Sequence, residues 1–373
     1  MKFKLGELFC GPGGIALGAK WSQFTRLSDG EEFGIEHIWA NDYHDSTCKT
    51  YYNHFCNGGD NNSKVICQDV RELDISKLDN IDAFAFGFPC NDYSIVGESK
   101  GINGEYGPLY TYGIKVIDHF QPKWFIAENV GGLRSANEGQ AFLKILEDMS
   151  NAGKGYKLTP HLYKFEEYGV PQTRHRIIIV GIRSDIEVEF KVPAPSYTKN
   201  NYVTSKSYLE RIMPFDVKNN EFTKHSHKTV KMLGHIKPGQ NAWTADIPEN
   251  LKLKVSGAKM SNIYRKLDPF KPAYTVTGSG GGGTHMYHYS QNRALTNRER
   301  ARLQTFPDDF YFEGNKDEVR RQVGMAVPPL GAKVIIDAIL KSFAGISYNS
   351  IEPTWKFQMN SGDLNKSQLI KAK

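Results

Sequence analysis

Cysteine is scarce: five residues in 373, all between positions 10 and 90, with no Cys-x-x-Cys pair. Zinc ribbons and disulfide frameworks need closely spaced or evenly paired thiols, so neither organises this chain and no metal site is expected. A reducing, cytoplasmic setting follows as an expectation, and it keeps a lone thiol usable. No apolar run approaches the ~20 residues that span a bilayer. Met1-Lys2-Phe3-Lys4-Leu5-Gly6-Glu7 has no signal-type apolar core, so no membrane partner is expected. The dinucleotide fingerprint Gly-x-Gly-x-x-Gly is also missing, since the first glycine turn reads Gly11-Pro12-Gly13-Gly14. That argues against hydride transfer from a nicotinamide.

Strand and helix patterns alternate through the first half. Strands are predicted at 4–9, 35–40, 64–67, 81–88, 124–127, 157–165 and 176–182. Helices are predicted at 13–21, 45–55, 108–120 and 140–151. This alternation predicts an α/β fold with a doubly wound, mostly parallel sheet. From about Val192 helical periodicity fades until Thr296, which predicts a second, smaller and irregular domain. The expected division is 1–190, 191–321, and a returning segment 322–373 with a helix at 331–343. Residues 191–285 hold 15 Lys/Arg against 6 Asp/Glu, whereas the remainder holds 32 against 35. A basic segment on a nearly neutral body is the footprint of a polyanion binder.

Reactive residue types fall at the predicted strand ends, where open α/β sheets place their sites. Cys90 follows the apolar run 81–88, stiffened by Pro89. Glu128-Asn129-Val130 closes the run 124–127. Gln172-Thr173-Arg174-His175-Arg176 leads into Ile177-Ile178-Ile179-Val180. Arg174 and Arg176 alternate with His175, so strand spacing would put both on one face.

In order, Phe9-Cys10-Gly11-Pro12-Gly13-Gly14, Gly87-Phe88-Pro89-Cys90, Glu128-Asn129-Val130 and Gln172-Thr173-Arg174-His175-Arg176 resemble motifs of the DNA (cytosine-5) methyltransferase family. So do Arg293 through Phe306-Pro307-Asp308 and Gly324-Met325-Ala326-Val327-Pro328-Pro329. The resemblance implies a Rossmann-like domain binding S-adenosylmethionine (SAM), a target-recognition domain, and double-stranded DNA as substrate. It implies cofactor contacts at Phe9, Gly11, Gly13, Gly14, Asp42, Asp69, Pro89, Ala326 and Val327. Cys90 would be the nucleophile, Glu128 would bond the ring N3 and amine, and Arg176 would hold the cytosine O2. Arg174 would support the catalytic loop or a phosphate. Residues 91–107 would form a lid. DNA contacts are expected from Gln172, Arg265, Thr275, Gly280 and His285. Two departures from the family pattern are Asn91 for a common Gln and Met325 for a common Asn, while Val276 replaces Leu in the pair that opens a recognition loop.

The leading expectation is the monomeric modification enzyme of a bacterial restriction–modification system, nucleoid-associated. A cognate endonuclease would be its functional partner without stable binding. A tRNA cytosine-5 methyltransferase and a catalytically silent DNA-binding relative are the alternatives.

Overall fold

The computed structural model describes residues 1–56, 63–88, 109–132, 140–254, 260–358 and 368–371. The chain divides into two compact units. The first comprises residues 1–164, 175–195 and 331–373, and the second residues 165–174 and 196–330.

The first unit is built on one sheet: β1 (Lys2–Leu8), β2 (Phe24–Thr25), β3 (Glu32–Asp42), β4 (Lys64–Cys67), β5 (Ala83–Phe86), β6 (Trp124–Val130), β7 (Tyr156–Lys164) and β8 (His175–Arg183). The order is β2-β3-β1-β5-β6-β8-β7, with β4 also pairing β3. β1 lies parallel to β3 on one side and to β5 on the other, so the chain reverses its direction of growth there. In open α/β sheets the ligand crevice lies outside the carboxyl ends of the strands at such a point. β8 runs antiparallel between β6 and β7 and closes the sheet. Pro160, which has no N–H to donate, is tolerated because β7 is an edge strand.

Helices α1 (Gly14–Trp21), α2 (Asp45–Tyr51), α3 (Tyr110–Phe120) and α4 (Gln140–Asn151) fill the connections. All four residues of β5 are buried, as expected of a strand covered on both faces. Phe84, Phe86 and Phe125 pack with Val116 and Ile117 of α3 and Phe142, Ile145 and Leu146 of α4. Two expectations need adjusting. The helix predicted at 45–55 is α-helical only to Tyr51 and continues as a π-turn over Tyr52–Cys56. The strand predicted at 81–88 is confined to Ala83–Phe86.

The second unit carries short helices α5 (Ser205–Leu209), α6 (His227–Gly234), α7 (Asn297–Leu303) and α8 (Lys316–Met325). Two of these, α5 and α6, lie where the sequence periodicity fades. α6 folds because Met232 and Leu233 bury against Ile247 and Tyr287, contacts distant in sequence. Among the described residues the second unit has only isolated bridges, such as Gln172 with Ala273, and no strand ladder.

α9 (Pro329–Ala344) supplies the returning segment of the first unit, where Phe343 meets Phe3 edge-on at 4.9 Å. Short pairs follow: β9 (Val192–Pro193) with β10 (Ser350–Ile351), and β11 (Trp355–Gln358) with β12 (Gln368–Lys371). Residues 316–344 are long and apolar enough on average to cross a membrane, although no unbroken apolar run signals it. They form two helices, and 72% of the apolar window is buried inside the protein, as in a core helix.

Candidate active site

β1 ends in a turn that ordinary residues resist. Phe9, Gly11 and Gly13 all take left-handed φ, at 54°, 56° and 95°. A Cβ at Gly13 would lie 2.3 Å from Cε2 of Phe55, so the turn needs glycine there for space as well as for φ. Among the described residues nothing lies within 4 Å of a Cβ built at Gly11, which leaves open space over the turn. Asp42, at the end of β3, accepts the Gly11 N–H on Oδ2 and the His44 N–H on Oδ1, both at 3.1 Å. Burial raises its pKa, and these N–H groups oppose the rise.

Asn41 donates to the Ile66 and Gln68 carbonyls, tying the end of β3 to the approach to Asp69. Asp69 is more exposed and forms a fork with Arg71, Oδ2 to Nη2 at 2.6 Å, which holds its pKa below the usual carboxylate range. Residues 8–19 contain no Lys or Arg. A desolvated carboxylate, open space over a glycine turn and no phosphate clamp suit S-adenosylmethionine, which carries ribose hydroxyls and no phosphate.

Behind the turn lies a cluster that sequence reasoning missed. Glu7 of β1 accepts from the Tyr51 hydroxyl at 2.7 Å, and Nδ1 of His37 is 3.9 Å away. Burial pushes the Glu7 carboxyl up to about 7 against the pull of Tyr51, and pushes His37 down to about 4.

Glu128 and Arg176 meet across β6 and β8. Arg176 Nε donates to Glu128 Oε1 at 2.8 Å, with side chains 14% and 13% exposed. A Cβ added to Gly87 would stand 3.2 Å from Glu128 Oε2, so the carboxylate lies directly against the backbone that follows β5. Asn129 donates from Nδ2 to the Phe88 carbonyl at 3.2 Å, anchoring the chain one residue before Pro89. Pro89, Cys90, Asn91 and the expected lid 91–107 lie outside the described residues.

Arg174 and Arg176 take different partners. β8 begins at His175, and Arg174 belongs to the strap 165–174 of the second unit. Arg174 is buried and donates to the carbonyls of Val276 at 2.9 Å, Gly324 at 3.0 Å and Met325 at 3.4 Å. Gln172 is fully buried; its Nε2 donates to Leu303 O and Gln304 Oε1, and its Oε1 accepts the Val276 N–H. Thr275 donates to the Thr173 carbonyl at 2.6 Å. Gln304, in turn, donates to the carbonyls of Val323 and Ala326. The strap therefore pins the segment 273–276 and the C-terminal end of α8. Ala326 and Val327 are buried in this unit, and the Met325 side chain is exposed.

Past Thr277 come the glycines. Gly280 takes φ 114°. Arg265 stacks over Tyr274, 4.9 Å from the ring centroid. His285 is held neutral, its pKa pushed down to about 4 by burial and then by Arg300 and Arg320. Among the described residues no group of three or more His, Cys, Asp or Glu could hold a metal.

A partly parallel sheet whose switch-point turn pairs glycines with a buried acid fits the class of SAM-dependent methyltransferases. The model of the C-5 cytosine-specific DNA methylase family matches residues 3–341, and the chain belongs to that family. It is 60% identical over 368 residues to Type II methyltransferase M.BbvI of Brevibacillus brevis, covering 97% of each chain. It is 38% identical to Type II methyltransferase M.NgoFVII of Neisseria gonorrhoeae, covering 92% of this chain and 88% of that one. Two solved structures share the fold. One is a prophage-encoded E. coli protein described as a DNA modification methyltransferase (TM-score 0.65, 22% identity, 92% of this chain and 99% of that one). The other is S. pombe Dnmt2 methyltransferase (0.59, 14%, 93% and 100%). The enzyme thus transfers a methyl group from SAM to carbon 5 of cytosine in DNA, by the family's cysteine-adduct chemistry on an everted base.

Proposed function

We propose that Cys90, Glu128 and Arg176 carry this reaction, as the modification activity of a restriction–modification system. The observation that carries the assignment is the Glu128–Arg176 pair at 2.8 Å beside Gly87, three residues before the cysteine. Carbon 5 of cytosine is too weak a nucleophile alone. The Cys90 thiolate adds to carbon 6, and Glu128, oriented by Arg176, bonds the N3 edge that gains electron density. SAM, when bound, supplies an electrophilic methyl group to carbon 5. Loss of the carbon-5 proton then expels Cys90 and restores the ring. An unperturbed thiol, pKa ~8.5, is only a few per cent ionised at neutral pH, so the site must favour the thiolate. Extruding the base costs a few kcal/mol, which binding to the basic second unit offsets.

Gly11, Asp42 and Asp69 hold the cofactor in this reading. The second unit reads the sequence through Arg265, Thr275, Gly280 and His285, on the frame set by Gln172 and Arg174. The protein works as a cytoplasmic monomer, and its cognate endonuclease shares its DNA site without binding it.

The test is bisulfite sequencing of plasmid DNA from cells expressing the wild type and Cys90→Ala. Full protection of one sequence context by the wild type, and none by the variant at equal SAM binding, is expected. Methylation retained by Cys90→Ala would refute the covalent step, and methylation of tRNA alone would refute the DNA assignment.

A further inference from the structure

The second unit holds a pocket of about 310 Å³ to which the reaction gives no role. Four cations line it, Lys224, Arg300, Lys316 and Arg320, against two carboxylates, Glu221 and Asp317. Asp317 already pairs with Arg320, Oδ1 to Nη2 at 2.7 Å.

The arginines of α7 show what is unusual here. Arg302 has a bidentate partner in Asp308, and Arg298 donates to the carbonyls of Lys218, Pro307 and Phe310. Arg300, on the same helix, is 2% exposed, yet among the described residues its guanidinium finds only the Thr277 carbonyl, at a long 3.4 Å. Nε of Arg320 is buried with no partner among the described residues. Burial and then Arg320 push the Arg300 pKa down to about 10. Buried charges are ordinarily paired, so Arg300 without a carboxylate partner, in a pocket of four cations against two carboxylates, leaves an anion missing.

We propose that this pocket takes a phosphodiester oxyanion of the DNA backbone, gripped by Arg300 and Arg320 with Lys224 and Lys316 at its mouth. Planar guanidinium forks match the oxygens of a phosphate, and lysines attract one as point charges. Position supports the choice. Thr277 enters the glycine segment 278–283, and His285, which follows it, also lines the pocket. A phosphate seated there fixes both ends of that segment on the duplex, the positioning work that backbone contacts do for base readers.

This inference rests on the second unit being the DNA reader, and the experiment separates the two. Binding of the full chain with SAM to a duplex of arbitrary sequence is measured against salt, for wild type, Arg320→Gln and the surface variant Lys316→Gln. Each variant is expected to bind about tenfold more weakly at 0.1 M salt. The slope of log K against log salt should shrink by about 0.9, the share of one phosphate that the protein no longer neutralises. A slope unchanged in both variants overturns the proposal. Inorganic phosphate at constant ionic strength is the second arm. If it raises the melting temperature of wild type but not of Arg320→Gln while the DNA slopes agree, the pocket holds a free anion and the DNA assignment falls. A wild type that binds duplex but methylates no sequence context of plasmid DNA would instead sink the reading of function.

Discussion

The two units are held together by different means. In the first, an eight-stranded sheet with aromatic and aliphatic side chains packed on it holds the strands by their ladder. In the second, side chains do that work. Arg174, Arg298 and Arg302 donate to main-chain carbonyls, and the amides of Gln172 and Gln304 do the same. Arg302 alone reaches the carbonyls of Tyr208, Arg211 and Ile212 as well as Asp308. A ladder shares its hydrogen bonds over many residues, so it tolerates point changes. A loop hung on one guanidinium does not. In the proposed reading, chemistry that must stay fixed sits on the first kind of frame, and a surface that must differ between enzymes of different specificity sits on the second.

The largest expected effect is chemical and confined to the first unit. Glu128→Gln keeps the shape and removes the charged partner of Arg176. It should lower kcat for methyl transfer by about 10²–10⁴-fold, the range for a lost general acid, with the melting curve unchanged. Single-turnover kinetics would check it. A variant within a fewfold of wild type would remove Glu128 from the reaction.

Arg298→Met sharpens the comparison from the other side. It strands three carbonyls that now accept from one buried guanidinium and should destabilise the second unit by about 3–5 kcal/mol. Hydrogen exchange should show faster exchange in the segments around 218 and 307–312 and native protection in β1, β5 and β6. Equal loosening of both units would show that they unfold as one.

Ladder-based structure was the legible part. The bounds of β4 and α4 follow directly from apolar periodicity, and the order of strand ends leads to Glu128 and Arg176 from the sequence alone. What periodicity could not show were partners far apart in sequence. Gln172 bonds residues 131 and 132 positions away, and Arg174 one 150 away, so the motif that leads into β8 starts in a buried strap. The Glu7–Tyr51 bond, 44 residues apart, was hidden for the same reason.

Gly324 tests how closely the proposed reader loop is seated. A Cβ there would lie 1.9 Å from the Gly278 nitrogen, a clash with backbone that no rotamer relieves. Gly324→Ala should displace the 277–278 segment, destabilise the second unit by about 1–3 kcal/mol, and relax sequence discrimination more than it slows turnover. Methylation of cognate and single-mismatch duplexes would measure the ratio. Unchanged discrimination would detach this loop from sequence reading.

The smallest effect returns to the first unit and to pH. Folding lifts the Glu7 carboxyl from 4.5 to about 7, so the folded state holds its proton more tightly than the unfolded one. The resulting stability is fully present below about 4.5 and is lost as pH rises through about 7. Between pH 5.5 and 7 the loss amounts to about 1.5 kcal/mol from this group. Glu7→Gln keeps an acceptor for Tyr51 and has no proton to lose, so its stability should be flatter over that range. Denaturant titrations at pH 5.5 and 7 would show the gap between variant and wild type widening in the variant's favour as pH rises. Parallel curves would mean that Glu7 is ionised throughout, with His37 carrying the compensating proton behind the cofactor turn.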